Sequence, residues 1–365
     1  MKVVTIGGAM VDSIALIDNR RIERMTMRNA ESSFLLLEEG RKTEALEISQ
    51  HCGGGAINTA VGMARLGFDV ATVVKLGQDQ RAENILRKLG EEGVSTRWVM
   101  RDACLQTGAA VMIASHERDA AIFTFRGANT LLCRDDLKAD MFAADLVYIS
   151  GLSNEAADCF PDVIAMAKAA GAKVATNPGI RQLTSRSDTF LAALPDIDIL
   201  SINRREADAL VPSLVGRFGE GGIGFDLGTD EKAPELILRG LHSGGHEMTL
   251  AHFFEALADS GVGQVVVTNG AEGAYIGDGE RVIYCPVVER QIAGTAGAGD
   301  AFASTFSVLF AETGEMRLAL QAAAINAGSV IAHVDTQTGL LRRGDLEREL
   351  GEARMPLQTW TVVGA

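Results

Sequence analysis

The chain of 365 residues is short of positive charge, aromatic rings and paired cysteines, and each shortage removes a class of function. Lys and Arg number 34 against 48 Asp and Glu, a formal net charge of −14. Nucleic-acid surfaces need clustered cations for phosphate contact, so no nucleic acid is expected and small metabolites are the natural partners. Cys52, Cys104, Cys133, Cys159 and Cys285 are scattered and odd in number, which suits reduced thiols better than a disulfide framework. His242 and His246 have no Cys or third His nearby at ligand spacing, so they read as loop residues rather than metal ligands. No internal repeat or low-complexity tract occurs. The N-terminal "MKVVTIGGAMVDSIALID" is interrupted by glycines and by Asp12. It reads as neither a signal peptide nor a membrane span, and a soluble cytoplasmic protein is expected.

What is present is alternation. The runs "KVVTIGG", "VATVVKLG", "LVYISGL", "KVATNP", "IDILSIN" and "QVVVTNG" are continuously apolar and end at Gly, Asn or Pro, as strands buried on both faces do. Helical patterns such as "AINTAVGMARLG" and "QRAENILRKLGEEG" lie between them, each running into a glycine stop. A largely parallel sheet with helices on both faces is expected, its ligands at the carboxyl ends of the strands. Two regions break the alternation. About 14–50 and 105–130 contain "SSFLLLEEG", "TEALEIS", "GAAVMIAS" and "DAAIFTFRGAN", which read as hairpins of a small separate sheet. Residues 211–249 are rich in Gly and charge and read as an excursion from one domain spanning 1–365.

Four stretches carry chemistry. In "GTAGAGDAFAS", the small residues from Ala296 to Gly299 let backbone N–H groups converge, and the following helix adds its positive end. Asp300 is then placed to take a proton from a hydroxyl that attacks a bound anion, unless it only caps the helix. "HCGGGAINTAVG" is a second glycine-rich turn opening a helix. Its contiguous Gly53, Gly54 and Gly55 do not have dinucleotide-fingerprint spacing, but with Asn58 they could meet a polyol. Asn203 and Glu206 in "SINRREADAL" read as a capping box. "VVVTNGAEGAY", with Thr268, Gly270 and Gly273, is either a hairpin turn or a loop over phosphates.

Taken in order, "GGAMVD", "GGGAINTAVGMARLG", "FRGAN", "NRREA", "VVVTNGAEGAY", "GTAGAGDAFAS" and "AAAINAGSVIAHV" resemble the ribokinase-like, PfkB-type sugar and nucleoside kinases over nearly the whole chain. That resemblance implies a three-layer α/β/α, Rossmann-like fold with a small β-sheet lid, and an ATP-dependent enzyme using Mg²⁺. It makes Asp300 the general base and Gly297, Ala298 and Gly299 the anion hole. Asn203 would meet nucleotide phosphate and Glu206 would help hold Mg²⁺ through waters. Thr268, Gly270, Gly273 and Thr295 would line the nucleotide, and Asn326 would border the adenine. Asp12, at the end of the first strand, with Gly54, Gly55 and Asn58, would bind the acceptor. The lid closes over the sugar and, in many members, pairs with a second subunit, so a homodimer is among the expectations.

Departures from the family pattern narrow the expectation. Gly294 replaces the signature's first Asp, which argues against potassium activation, and Met10 and Gly55 disfavour ribose itself. "TNPGIR" only partly matches an Asp-x-Asn-x-Arg strand end, since Thr176 and Gly179 differ. Arg126 and Arg181 read first as surface or structural arginines, with contact to an anionic or polyhydroxy acceptor as the alternative. A sugar hydroxymethyl acceptor leads. A nucleoside, under Phe34 and the pair Phe123 and Phe125, comes second in a chain that is only 5% aromatic. A catalytically silent sugar-binding sensor is the reading from another class.

Overall fold

Strands apolar on every residue need cover on both faces, and the arrangement supplies it. The computed structural model describes residues 1–18, 23–26, 33–36, 40, 42–115, 120–221, 223–227, 233–353 and 355–363. Its main sheet has eleven strands in the order Gly224–Phe225, Gln358–Val363, Arg281–Cys285, Ala274–Gly277, Gln264–Thr268, Ile199–Asn203, Lys173–Asn177, Leu146–Ser150, Lys2–Ile6, Asp69–Leu76 and Val99–Arg101. All pairs from Gln264–Thr268 to Val99–Arg101 are parallel. Their carboxyl ends therefore open on one edge.

Each strand splits its side chains between two cores. Val147 and Ile149 join the cluster under helices Phe160–Ala169, Arg204–Phe218 and Leu250–Asp259. Leu146 and Tyr148 join the one under Gly55–Arg65, Gln80–Glu91, Ala298–Thr313 and Met316–Val330. This is the three-layer α/β/α arrangement, and it explains the unbroken apolar runs. Among the described residues no helix is long and apolar enough to cross a membrane.

A second sheet of four strands, Glu47–Gly53, Met10–Ile17, Gly108–Ser115 and Ala120–Phe125, stands at the edge where the parallel strands end. Two expectations change here. Ser33–Leu36 pairs with Glu23–Thr26 as a separate hairpin, whereas Glu47–Gly53 pairs with Met10–Ile17, so the second sheet begins at Met10 rather than near Ile14. The supposed excursion from Val211 starts as helix: Arg204–Phe218 carries buried Val211 and Leu214 and continues through Pro212 to a stop at Gly219, where φ is 80°. Beyond it, Gly224–Phe225 adds an edge strand to the main sheet, and the hairpin Leu241–Ser243 with His246–Met248 is tied to that helix by the His242 N–H donating to Asp208. Residues 222 and 228–232 of this stretch, and parts of 14–50 and 105–130, lie outside the described residues.

One buried side chain joins the sheets. Asn129 Oδ1 accepts from the Ala9 N–H (2.9 Å), while its Nδ2 donates to the carbonyls of Ala9 (2.7 Å) and Arg126 (2.9 Å). The crossing from the main sheet into the second sheet is thereby fixed to the end of the Ala120–Phe125 strand. Replacing Asn129 with Ala strands these backbone groups in a buried place, at roughly 1–3 kcal/mol for an orphaned group. Urea unfolding of Asn129→Ala should show a loss in that range, and an unchanged midpoint would refute the role.

Candidate active site

The carboxyl ends of the parallel strands meet two glycine-rich turns. At the first, Gly54 adopts φ 94°, and a Cβ there would stand 2.6 Å from the Gly8 carbonyl oxygen. That carbonyl accepts from the Ala56 N–H at 3.1 Å, seating the start of helix Gly55–Arg65 on the end of the first strand. A Cβ on Gly55 would lie 2.7 Å from Ser150 Cβ and 3.7 Å from Asp300 Oδ1. Bulk is excluded where the turn passes the carboxylate.

The second turn opens helix Ala298–Thr313. Gly297 is left-handed with φ 82°, and a Cβ would collide with Thr336 Cβ at 2.7 Å. Only glycine suits both constraints. A Cβ on Gly299 would meet nothing within 4 Å, so this side of the turn faces open space. The first N–H groups of the helix lack intrahelical partners and point where an anion could sit.

Asp300, in the first turn, connects the two elements. Asn58 Nδ2 donates to Asp300 Oδ2 at 2.8 Å. Asn58 Oδ1 accepts from Thr336 Oγ1 (2.9 Å) and Gln337 Nε2 (3.0 Å), and Gln337 Nε2 also donates to the Cys52 carbonyl (2.8 Å). With its oxygen occupied by two donors, the Asn58 amide can only present N–H to the carboxylate. Thr336 and Gln337 escape motif reading because they follow no glycine pattern; they are recognisable only by what they hold.

Asp12 completes the polar side, but not from the end of the first strand. It is the third residue of the second sheet's Met10–Ile17 strand. The sheet carries it over the site, with Oδ1 buried and without a hydrogen-bond partner among the described residues. Burial, reinforced by the charge of Asp300, pushes the Asp12 carboxyl up to about 6. Burial also raises Asp300, and the Asn58 N–H opposes that rise. Two buried carboxylates thus share one site, and the charge of Asp300 disfavours a second charge on Asp12.

On the other side of Asp300 lies a cavity of about 650 Å³. Thr268, Gly270, Gly273 and Thr295 line it, beside Ala298 and Gly299. Its far wall is apolar, from Val287, Val288, Ile292 and Phe302, a surface suited to a flat ring. Asn326 is not part of it. It is fully buried, donating to Thr305 Oγ1 (2.7 Å) and accepting from the Leu341 N–H (2.9 Å), so it fastens two helices and the following loop, while its neighbours Ala327 and Gly328 face the cavity. Asn203 stands beside Thr268 in register. Its Oδ1 accepts from the Glu206 N–H (2.9 Å) and its N–H donates to Glu206 Oε2 (3.0 Å), the capping box expected from sequence. Glu206 is buried, which raises its carboxyl.

The aromatic pair does not reach the acceptor side. Asp12 is in register with Ala110 and Thr124, whereas Phe123 is in register with Val111 and Ser13. Phe123 and Phe125 therefore occupy the opposite face, 60% and 49% exposed. The side chain of Phe34 lies outside the described residues.

A buried carboxylate in the first turn of a helix, between an apolar cavity and a second buried carboxylate, is an arrangement that phosphoryl transfer can use. The pfkB family carbohydrate kinase model matches residues 22–342. The chain belongs to that family. Among its relatives, the deoxyribokinase of Salmonella typhimurium is 25% identical, over 89% of this chain and 94% of that one. The 2-dehydro-3-deoxygluconokinase of Bacillus subtilis is 28% identical over 78% and 81%. The fold matches Arabidopsis thaliana ribokinase complexed with ribose and ATP at a TM-score of 0.71, with 22% identity over 95% and 98% of the two chains. It also matches a putative ribokinase II of E. coli in complex with ATP and Mg²⁺ at 0.73, with 16% identity over 96% and 99%. The protein is a carbohydrate kinase of ribokinase-like fold.

Burying the charge of Asp12 costs stability wherever it is ionised. A carboxyl raised in the folded state contributes most stability below its unfolded value of 3.8 and loses it as pH rises through about 6. Asp12→Asn should therefore melt higher than wild type at pH 7 while transferring phosphoryl poorly. The gain should vanish near pH 4, where wild-type Asp12 is already protonated; a variant that melts lower at pH 7 contradicts this account.

Proposed function

We propose that the chain transfers the γ-phosphoryl group of ATP to a hydroxymethyl group of a sugar. The observation that carries this reading is the Asn58-held carboxylate of Asp300 at the start of helix Ala298–Thr313. Asp300 takes the proton from the acceptor hydroxyl as its oxygen bonds to the γ-phosphorus and the bond to the ADP oxygen breaks. The N–H groups of Gly297, Ala298 and Gly299 face the charge on the transferring group. Asp12 and Asn58 accept and donate toward the sugar hydroxyls, and Gly54 and Gly55 let the ring approach the backbone.

ATP enters the apolar cavity, with Thr268, Gly270, Gly273 and Thr295 along its phosphates. Among the described residues no three His, Cys, Asp or Glu side chains gather as a metal cage. One carboxylate at the phosphate end, Glu206 beside Asn203, is what a hydrated Mg²⁺ carried on nucleotide phosphates requires. When bound, Mg²⁺ neutralises phosphate charge. Gly294 offers no carboxylate, and a Cβ there would stand 3.1 Å from the His333 carbonyl oxygen, so the absence of potassium activation remains part of the reading. The second sheet acts as a lid that keeps water from the γ-phosphate. Its outer face, with Ile48, Val111, Phe123 and Phe125 exposed, supports pairing with a second copy. The named relatives act on neutral deoxy- and ribo-sugars and on dehydro-deoxygluconates, so they leave the acceptor open.

Asp300→Asn keeps shape and removes the base. Turnover should fall on the order of 10²-fold or more, with ATP affinity by calorimetry nearly unchanged. Equal turnover would remove Asp300 from the chemistry. Binding of sugars with no transfer by the wild type would point to a sensor. The pH profile should show an acid limb near 6, where the Asp12 carboxyl takes up a proton, and Asp12→Asn should remove that limb. A wild-type limb near 4 alone contradicts the raised Asp12. The rate should not change severalfold when K⁺ replaces a bulky organic cation.

A further inference from the structure

A polar crevice of about 240 Å³, sharing no lining residue with the nucleotide cavity, lies where the second sheet joins the main body. One wall is the strand Glu47–Gly53, which runs into the Gly54 turn, and the other is helix Gln80–Glu91. That helix buries Ala82, Ile85 and Leu89 on one side, while Asn84, Arg87, Lys88 and Glu91, spaced three and four apart, line the crevice from the other. Asp335 and Gln337, both buried, form the floor.

The charges in this crevice are only partly paired. Glu92 occupies two of its cations, meeting Arg65 Nη2 at 2.6 Å and Lys88 Nζ at 2.7 Å. Arg87 has neither an ion pair nor a hydrogen bond among the described residues. Its charge still acts inside the crevice, because burial pushes the Cys52 thiol up and the charges of Lys88 and Arg87 oppose that rise. Across from it, Asp335 Oδ1 accepts from the N–H groups of Gln337 (2.9 Å) and Thr338 (2.8 Å). Burial pushes the Asp335 carboxyl up, but the hydrogen bonds from Thr338 and Gln337, helped by the nearby His51, outweigh it and hold it below its usual value. The floor is therefore negative at neutral pH.

An unspent cation on the helix and an ionised carboxylate on the floor make a site of two signs. A plain anion drawn to Arg87 would meet Asp335 and Glu91, and a plain cation drawn to Asp335 would meet Arg87 and Lys88. A molecule carrying both charges satisfies each wall. We propose that the crevice binds a small zwitterion, its carboxylate at Arg87 and its ammonium group at Asp335. Asn84 adds amide N–H donors to the carboxylate, since its Oδ1 already accepts from Gln80 Nε2 (3.3 Å). The site stands apart from phosphoryl transfer, yet its floor is the loop that orients Asn58. Gln337 is held there through its carbonyl, which accepts from Arg65 Nη1 at 2.6 Å, and its amide reaches both the Cys52 carbonyl and Asn58. An occupant thus ties the helix to the loop that grips the second sheet's edge strand.

Calorimetry without nucleotide tests this with alanine, β-alanine and γ-aminobutyrate, zwitterions of increasing charge separation, against butyrate and butylammonium, which carry one charge each. The best zwitterion should bind about tenfold or more tighter than either singly charged molecule. Arg87→Gln and Asp335→Asn should each remove that advantage. Arg87 is exposed on its helix, so Arg87→Gln keeps the result readable if Asp335→Asn loosens its loop. With the zwitterion bound, amide hydrogen exchange in Glu47–Gly53 should slow. Butyrate binding as tightly as every zwitterion leaves an adventitious anion site only and overturns the proposal, as do failure of all the zwitterions to bind and an advantage unmoved in Arg87→Gln. Binding that leaves exchange of the strand unchanged overturns the link to the second sheet.

Discussion

The hydrogen bond from Asn58 Nδ2 to Asp300 Oδ2, 2.8 Å long between residues 242 apart in sequence, makes one site out of two helix starts. Without it, each glycine-rich turn would be an ordinary way into a helix. With it, each constrains the other. Gly55 must lack a side chain because Ser150 and Asp300 stand over it, and Gly297 because Thr336, which also bonds Asn58, stands beneath it. The glycines that look like a binding motif are thus packing requirements as well. Close helix approach by itself requires the absence of Cβ at these turns.

Electrostatics works against stability in this small volume. Asp12 and Asp300 repel through a desolvated site, and Arg126 and Arg181 do the same a short way along the strand ends. Like charges gathered by sign, acids beside the start of helix Ala298–Thr313 and cations at the neighbouring strand ends, oppose folding rather than assist it.

Much of this was legible in the sequence, and the parts that were not share a cause. The six apolar runs are strands because parallel strands buried on both faces need every residue apolar, a local signal. Asp300, Gly297 and the cavity residues Thr268, Gly270 and Gly273 were legible because backbone geometry dictates residue type within a few positions. Pairing was hidden. Met10–Ile17 lies parallel to Gly108–Ser115, about a hundred residues on, so Asp12 was assigned to the wrong strand. Asn326 matched a position expected to border the adenine, but its amide is spent on Thr305 and Leu341 inside the fold. Pro212 and the glycines after it concealed a helix whose buried Val211 and Leu214 hold it in place. Each miss concerns which face or partner a residue meets, and that depends on chain far away.

The second sheet shows why face matters more than composition here. Its strands alternate, so Asp12, Ala110 and Thr124 turn one way and Ser13, Val111 and Phe123 the other. A slip of one residue would exchange the two sets, turning Phe123 to the face that now carries Asp12 and Asp12 to the outside. Asn129 opposes that slip, since its three bonds to Ala9 and Arg126 fix where the first and last members of the sheet begin and end. The same anchor holds the backbone of Arg126. A single buried amide therefore sets both the register that brings Asp12 into the field of Asp300 and the position from which Arg126 reaches Ser153.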